Sequence, residues 1–167
     1  MRGTYLATDI ARYIINYSND KNYGVSNLKL QKLLYFVQAF FLVNNKEHCP
    51  CFSNQIEAWD FGPVVPDVYH EYKQYGSTDI PRISSIFIFD KENPWDGKII
   101  NFDDSFIAGS HKKLINEVVD HFADYSATDL VARTHCQAPW KNAYIPHQNN
   151  IITNESILEY FNDVHGL

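Results

Sequence analysis

The feature that most constrains this chain is a helical segment whose apolar residues are not confined to one face. Residues 28–43, LKLQKLLYFVQAFFLV, carry apolar side chains at the 3.6-residue spacing of a helix and on the neighbouring faces as well. Ser26 or Asn27 comes before the segment and is a typical helix N-cap. Because a helix with so broad an apolar surface must be covered on most sides, we predict the central helix of the core here.

The chain shows no sign of a membrane segment. The longest apolar run, Leu33–Val43, is much shorter than the roughly 20 residues that a helix needs to cross a bilayer. Met1–Thr4 lead directly into a helical pattern without the features of a signal peptide. The three cysteines are an odd number, which favours reduced thiols. We therefore expect a soluble cytoplasmic protein without a membrane partner.

Other helices are predicted from apolar periodicity and from end signals. Thr4 or Thr8, with Asp9, stands at the front of the first helix. Ser126 and Asp129 form a capping-box pattern. The remaining signals are Pro66 and Gly76 at the two ends of a third helix, the inward apolar stripe from Ile107 to Phe122, and Thr153 or Asn154 as the cap of a last helix that reaches Phe161.

Extended structure is predicted at two places. The segment Ile56–Trp59 should place Ile56 and Ala58 on one face and Glu57 and Trp59 on the other. Gly62–Val65 follows as a rigid turn. Residues 77–101 combine β-branched and aromatic runs with turn chemistry at Pro94 and at Asp96-Gly97, which indicates a β-hairpin or an extended flap.

Composition bounds the fold and the partners. A chain of 167 residues with 45% hydrophobic content suits one compact domain, and no linker or repeat divides it. We therefore predict a mainly α fold, a single compact helical domain over residues 1–167 with a small β-hairpin or short sheet. The formal charge of −6 opposes association with phosphate backbones, which argues against a nucleic-acid partner.

Three local clusters resemble reactive sites, and each has a simpler interpretation. His48-Cys49-Pro50-Cys51 offers zinc ligands, but it lacks paired C-x₂-C spacings and a nearby fourth ligand, which favours an exposed loop with two incidental cysteines. Asp103 and Asp104 suit a helix start. His135 and Cys136 point about 100° apart on a helix, so Cys136 is expected to be a small buried filler. We predict no metal and no catalytic residue; a small metal-dependent hydrolase is the alternative from another class.

Glu57 and Trp59 allow two interpretations. In the favoured one, Trp59 packs on the corner between Pro63 and Pro66 while Glu57 pairs with a nearby lysine or arginine. In the other, the tryptophan is an aromatic anchor beside a charge on a surface that binds a partner.

Three stretches in order resemble the signature of a known family. They are LQKLLYFVQ at residues 30–38; Glu57-Ala58-Trp59 with Gly62–Tyr69 and Tyr75-Gly76; and Thr134-His135 with Pro139-Trp140-Lys141. Their order and spacing are similar to those of the Panacea domain, the SocA-like antitoxin family, whose members are also called phage-associated proteins. The resemblance extends from about Leu6 to Phe161.

The resemblance implies a largely helical, non-enzymatic antitoxin of a bacterial or prophage toxin–antitoxin system. Its partner would be a cognate protein toxin, neutralised by direct protein-protein binding and without a cofactor. One branch of the family delivers its toxin to a Clp-type protease, so the resemblance also implies the alternative of a proteolytic adaptor.

On this basis we predict a partner-binding surface at seven residues. Aromatic side chains are frequent among interface hot spots, and flanking charges add specificity. The predicted contacts are Trp59, Tyr69, Tyr72, His135 and Trp140, with Lys32 and Glu57 as polar partners.

Overall fold

The computed structural model describes residues 5–45, 47–93 and 95–163, and within them the chain is mainly helical. The helices are α1 (Ala7–Asp20), α2 (Asn27–Asn44), α3 (Pro66–Tyr72), α4 (Gly109–His121), α5 (Ala127–His135), α6 (Ala138–Ala143) and α7 (Asn154–Asp163), with a 3₁₀ turn at Lys73–Tyr75. The strands are β1 (Ile56–Trp59), β2 (Gly62–Val64), β3 (Ser85–Ile88), β4 (Lys98–Asn101) and β5 (Ile151–Ile152). The predicted fold class, mainly α with short strands, is confirmed.

Helix α2 is the centre of the core, as its sequence predicts. Its side chains are buried around most of the helix, and it packs against α1, α4, α5 and α7. The ring of Phe36 lies 4.4 Å from that of Phe122 and 6.2 Å from that of Phe161, measured between centroids. Ser26 is the N-cap, since its hydroxyl accepts a hydrogen bond from the backbone N–H of Lys29. In the described ranges no helix is both long enough and apolar enough for a bilayer crossing.

Strand β1 lies between β2 and β5 in an antiparallel sheet. Ile56 and Ala58 are buried, as the alternating pattern predicts. The prediction of a rigid turn over Gly62–Val65 is wrong, because the chain already turns at Asp60-Phe61 and Gly62–Val64 forms β2. Gly62 makes the early turn feasible, since its φ of +99° is one that other residues rarely adopt.

The hairpin predicted between residues 77 and 101 is present as β3 and β4. The strands pair antiparallel, with Phe87 opposite Ile99 and Ile86 opposite Ile100. Because the side chains of a strand alternate between faces, the two pairs lie on opposite faces of the hairpin. Pro94, expected in its turn, lies outside the described residues.

The first helix is capped from elsewhere in the chain. The backbone N–H of Ala7 donates to Oδ1 of Asn54 at 2.8 Å. Thr8 and Asp9 lie in the first turn, at the front of the helix as predicted, and Thr4 lies outside the described residues. A cap supplied by a residue 47 positions away has no local sequence signal.

The other predicted helix ends are found in place. The hydroxyl of Ser126 accepts from the N–H of Asp129 at 3.0 Å, and the carboxylate of Asp129 accepts from the N–H of Ser126 at 2.9 Å. This is the full capping box. Thr153 Oγ1 accepts from the N–H of Ser156 at the start of α7. Gly76, with φ of +57°, ends the 3₁₀ turn after α3.

Replacement of Gly62 by alanine is expected to destabilise the fold by roughly 3 kcal/mol, which combines backbone strain with overpacking. A Cβ at this position would lie 2.8 Å from Thr134 Oγ1 and 2.9 Å from Lys32 Cε. Thermal unfolding followed by circular dichroism should show a fall in Tm of about 6–12 °C. Gly109→Ala is the matched control, because a Cβ there meets nothing within 4 Å. Equal Tm values for the two variants would contradict this packing.

Candidate partner-binding site

Three buried polar side chains of α2 hold the main chain of the segment that leads into and through the β1–β2 hairpin. They are Gln31, Lys32 and Gln38, all part of the LQKLLYFVQ stretch and all at most 1% exposed. The bonds are Val65 N–H to Gln31 Oε1 at 2.9 Å, Lys32 Nζ to the Pro63 carbonyl at 2.9 Å, and Gln38 to both the carbonyl and the N–H of Phe52 at 3.1 and 3.2 Å. The helix thereby satisfies backbone groups that would otherwise be buried without partners.

Lys32 is the most unusual of the three because it is a lysine with no exposed surface. Burial lowers the pKa of its ammonium group from 10.5 to about 7. The Pro63 carbonyl accepts its hydrogen bond from within the β1–β2 hairpin. Through this hydrogen bond Lys32 holds the hairpin against α2.

A column of stacked rings packs beside the hairpin. The rings of His135 and Trp140 are 3.9 Å apart and 15° from parallel, and those of Trp140 and Tyr144 are 4.5 Å apart and 16° from parallel. The indole N–H of Trp140 donates to the carbonyl of Trp59 at 2.9 Å. Burial, with a smaller contribution from the charge of Lys32, lowers the pKa of His135. The column therefore ties α5 and α6 to β1.

Trp59 itself is held by a carboxylate and a ring. Its indole N–H donates to Oε2 of Glu57 at 2.7 Å, and its ring meets that of Tyr69 edge to face at 5.0 Å. The expected pairing of Glu57 with a lysine or arginine is wrong for the described residues, where its carboxylate accepts from the indole instead. The side chain of Trp59 is thus fixed while part of it stays accessible.

The seven predicted residues fall into two groups by exposure. Glu57, Trp59, Tyr69 and His135 are partly exposed around the β1–β2 hairpin. Those with little or no accessible surface are Lys32 at 0%, Tyr72 at 3% and Trp140 at 9%. Tyr72 is also apart from the others, because it lines a cleft of about 500 Å³ between α3 and the β3–β4 hairpin.

A cavity of about 290 Å³ opens beside Trp59 and Tyr69. Asp60, Phe61 and Asn149 also line it, and Phe61 is 67% exposed. These three residues were not predicted from the sequence. The exposure of Phe61 depends on the Asp60-Phe61 turn, and the position of Asn149 depends on the pairing of β5 with β1, so neither has a local signal.

The clusters that resembled reactive sites are arranged as ordinary structure. In the part of the chain that the structure describes, no three His, Cys, Asp or Glu side chains are grouped to hold a metal ion. Cys51 is fully buried and Cys136 is exposed, so the expectations of an exposed Cys51 and a buried Cys136 are both wrong. Asp103 accepts from the N–H of Ser105, and Asp104 pairs with Lys112 at 2.7 Å.

The stability of the protein should depend on pH through Lys32. Between pH 7 and 10.5 the unfolded chain keeps a proton on Lys32 that the folded protein has lost, so the free energy of unfolding rises with pH in this window. The difference between wild type and Lys32→Met should therefore increase by about 1.4 kcal/mol per pH unit from pH 7.5 to 9, measured by urea denaturation. Lys113→Met makes the same change at an exposed position of α4 and is the matched control. A flat difference for Lys32→Met would show that its pKa is not lowered.

Comparison with known proteins points to the same family as the three sequence stretches. The profile described as "Antitoxin SocA-like, Panacea domain" matches residues 30–141, more than half of the chain. A curated relative, Antitoxin SocA of Caulobacter vibrioides (strain NA1000 / CB15N), is 43% identical over 70 residues, which is 40% of this chain and 36% of the relative. The chain thus matches little more than a third of that relative's length. No solved structure matches significantly. The predicted resemblance is confirmed, and the chain belongs to the SocA-like antitoxin family with a Panacea domain.

Proposed function

We propose that this protein is the antitoxin of a bacterial or prophage toxin–antitoxin pair and that it neutralises its cognate toxin by direct protein-protein binding in the cytoplasm. Membership of the family supports the antitoxin role. The name of the Caulobacter relative supports it further. The proposed mechanism is stoichiometric and non-enzymatic, without a cofactor.

The observation that carries direct binding is the apolar surface of the β3–β4 hairpin. Its exposed side chains include Ile99 at 73%, Phe89 at 68% and Phe87 at 51%. An exposed antiparallel pair of strands normally keeps one polar face, whereas the Ile86–Ile100 and Phe87–Ile99 pairs make both faces of this hairpin apolar. Apolar surface of this kind is typical of sites that bind another protein.

The motif residues around β1 form the second part of the proposed surface. We infer that Glu57, Trp59, Tyr69 and His135 contact the toxin, because they are the predicted residues that remain accessible. Lys32, Tyr72 and Trp140 are buried and would act by holding the contact residues in place. Tyr72 lines the cleft beneath the β3–β4 hairpin, so its position bears on that part of the surface.

Co-expression with the product of the neighbouring gene tests the role. That product should arrest growth alone, growth should recover when this protein is present, and the two should elute together in size-exclusion chromatography. A harmless neighbour, or recovery without a complex, would overturn the proposal.

The half-life of the toxin distinguishes stoichiometric binding from delivery to a Clp-type protease. For stoichiometric binding the toxin half-life should be unchanged or longer when this protein is present, in cells with and without the protease. A half-life that shortens only in cells with the protease would favour the adaptor mechanism.

Ile99→Lys should weaken toxin binding by at least about tenfold, because burial of an isoleucine contributes roughly 1.5–3 kcal/mol and a buried ammonium adds a cost. Ile99 is exposed in the free protein, so Tm should change by less than about 2 °C. Binding is measured by isothermal titration calorimetry with the purified toxin. Leu6→Lys is the control, since it makes the same kind of change at another exposed position, 55% accessible. Equal affinities for the two variants would exclude the hairpin as a contact surface.

A further inference from the structure

The cavity beside Trp59 combines aromatic rings with a carboxylate. Trp59, Phe61 and Tyr69 supply three rings, and Asp60 supplies the acidic group. The lining is mostly apolar, and its volume of about 290 Å³ is at the lower end of the range for small-molecule pockets. A space of this size suits one large side chain better than a cofactor.

Two carboxylates lie at the cavity, Asp60 in its lining and Glu57 on the indole of Trp59. Asp60 accepts a hydrogen bond from the hydroxyl of Tyr144 at 2.9 Å, and Glu57 accepts one from the Trp59 indole. In the described residues neither carboxylate forms a salt bridge with a lysine or an arginine, and neither residue type lines the cavity. The chain as a whole carries a formal charge of −6. The site therefore favours a cation.

The backbone that closes one side of the cavity is held in an unusual conformation. His147 and Asn149 both line the cavity, and both have positive φ, +65° and +49°. Non-glycine residues in this region cost free energy and are found where the surrounding structure fixes them, often at binding sites. The wall is also fixed by Gln31, which lines the cavity and accepts from the Val65 N–H.

We propose that this cavity accepts a basic side chain of the protein partner, in the first place an arginine. A guanidinium group stacks on aromatic rings, whose faces are negative, and it pairs with carboxylates through several N–H donors. Its aliphatic stem would pack against the apolar lining. The proposal rests on the proposed function for the nature of the partner, a protein toxin, but the chemistry of the cavity is tested without it.

The test titrates the purified protein with Nα-acetyl-arginine amide, followed by the ¹H–¹⁵N signal of the Trp59 indole. The signal is assigned with Trp59→Phe, and the signal of Trp95, which is 93% exposed, is the internal reference. A saturable shift is expected with a dissociation constant on the order of 1–10 mM, as suits a ligand of this size. Nα-acetyl-citrulline amide, neutral and nearly the same shape, should bind roughly tenfold more weakly.

Two variants distinguish binding in the cavity from attraction by the net negative charge of the protein. Asp60→Asn keeps the shape of the side chain and should weaken binding of the arginine probe by roughly fivefold. Glu117→Gln on α4 removes the same charge from an exposed position that is not part of the lining, and affinity should stay within about twofold. Equal losses in the two variants would show non-specific attraction and overturn the proposal.

Two results with the wild-type protein would also overturn it. One is equal binding of the citrulline and arginine probes, which would make the cavity an apolar site without preference for charge. The other is the absence of a saturable shift at Trp59 up to about 50 mM probe, well above the expected dissociation constant. Neither result depends on the toxin, so the proposed antitoxin role can fail while the cavity binds arginine, or hold while it does not.

Discussion

The fold depends on hydrogen bonds from the interior of its central helix to the main chain of a short hairpin. Gln31 and Lys32 reach from α2 to the backbone of Val65 and Pro63. These bonds give partners to main-chain groups of a segment that contains two prolines and lies against an apolar core. The lysine is the costly member, because no carboxylate among the described residues pairs with its ammonium and burial lowers its pKa. A second, independent support comes from Trp140, which bonds the carbonyl of Trp59 from the other side.

These bonds give the family signature a physical meaning. The LQKLLYFVQ stretch places Gln31, Lys32 and Gln38 on helix faces that meet the segment from Phe52 to Val65. Gly62 supplies the room that Thr134 and Lys32 require. Much of the signature therefore specifies the scaffold. Of the surfaces that we propose for partner binding, the β3–β4 hairpin lies outside the signature, as do Asp60 and Phe61 of the cavity, whereas the contact residues around β1 belong to it. Such a division allows one fold to serve different partners, because the exposed residues can change without loss of the buried bonds.

Local signals in the sequence predicted a large part of the fold. The apolar breadth of α2, the capping box at Ser126 and the strand pattern of Ile56–Trp59 each depend on residues near one another in the chain, and each was found as expected. The failures depend on distant contacts: the cap that Asn54 gives to α1, the pairing of β5 with β1 and the exposure of Cys136. The candidate site was predicted only in outline for the same reason. Burial separates the residues that we propose as contacts from those that we propose as supports, and burial is a property of the assembled core.

The two proposed binding elements differ in how firmly they are held. The wall of the cavity includes Gln31, a side chain fixed within the core, and strained residues of the loop before β5. The β3–β4 hairpin instead projects from the body and is anchored at its base by Asn16, which forms two hydrogen bonds with the backbone of Ile83 at 2.7 and 2.9 Å. A preformed cavity loses little entropy when it binds a side chain, so it suits a specific anchor. An apolar hairpin with exposed faces can adapt to a wider surface. The combination suits recognition of a whole protein better than recognition of a small molecule.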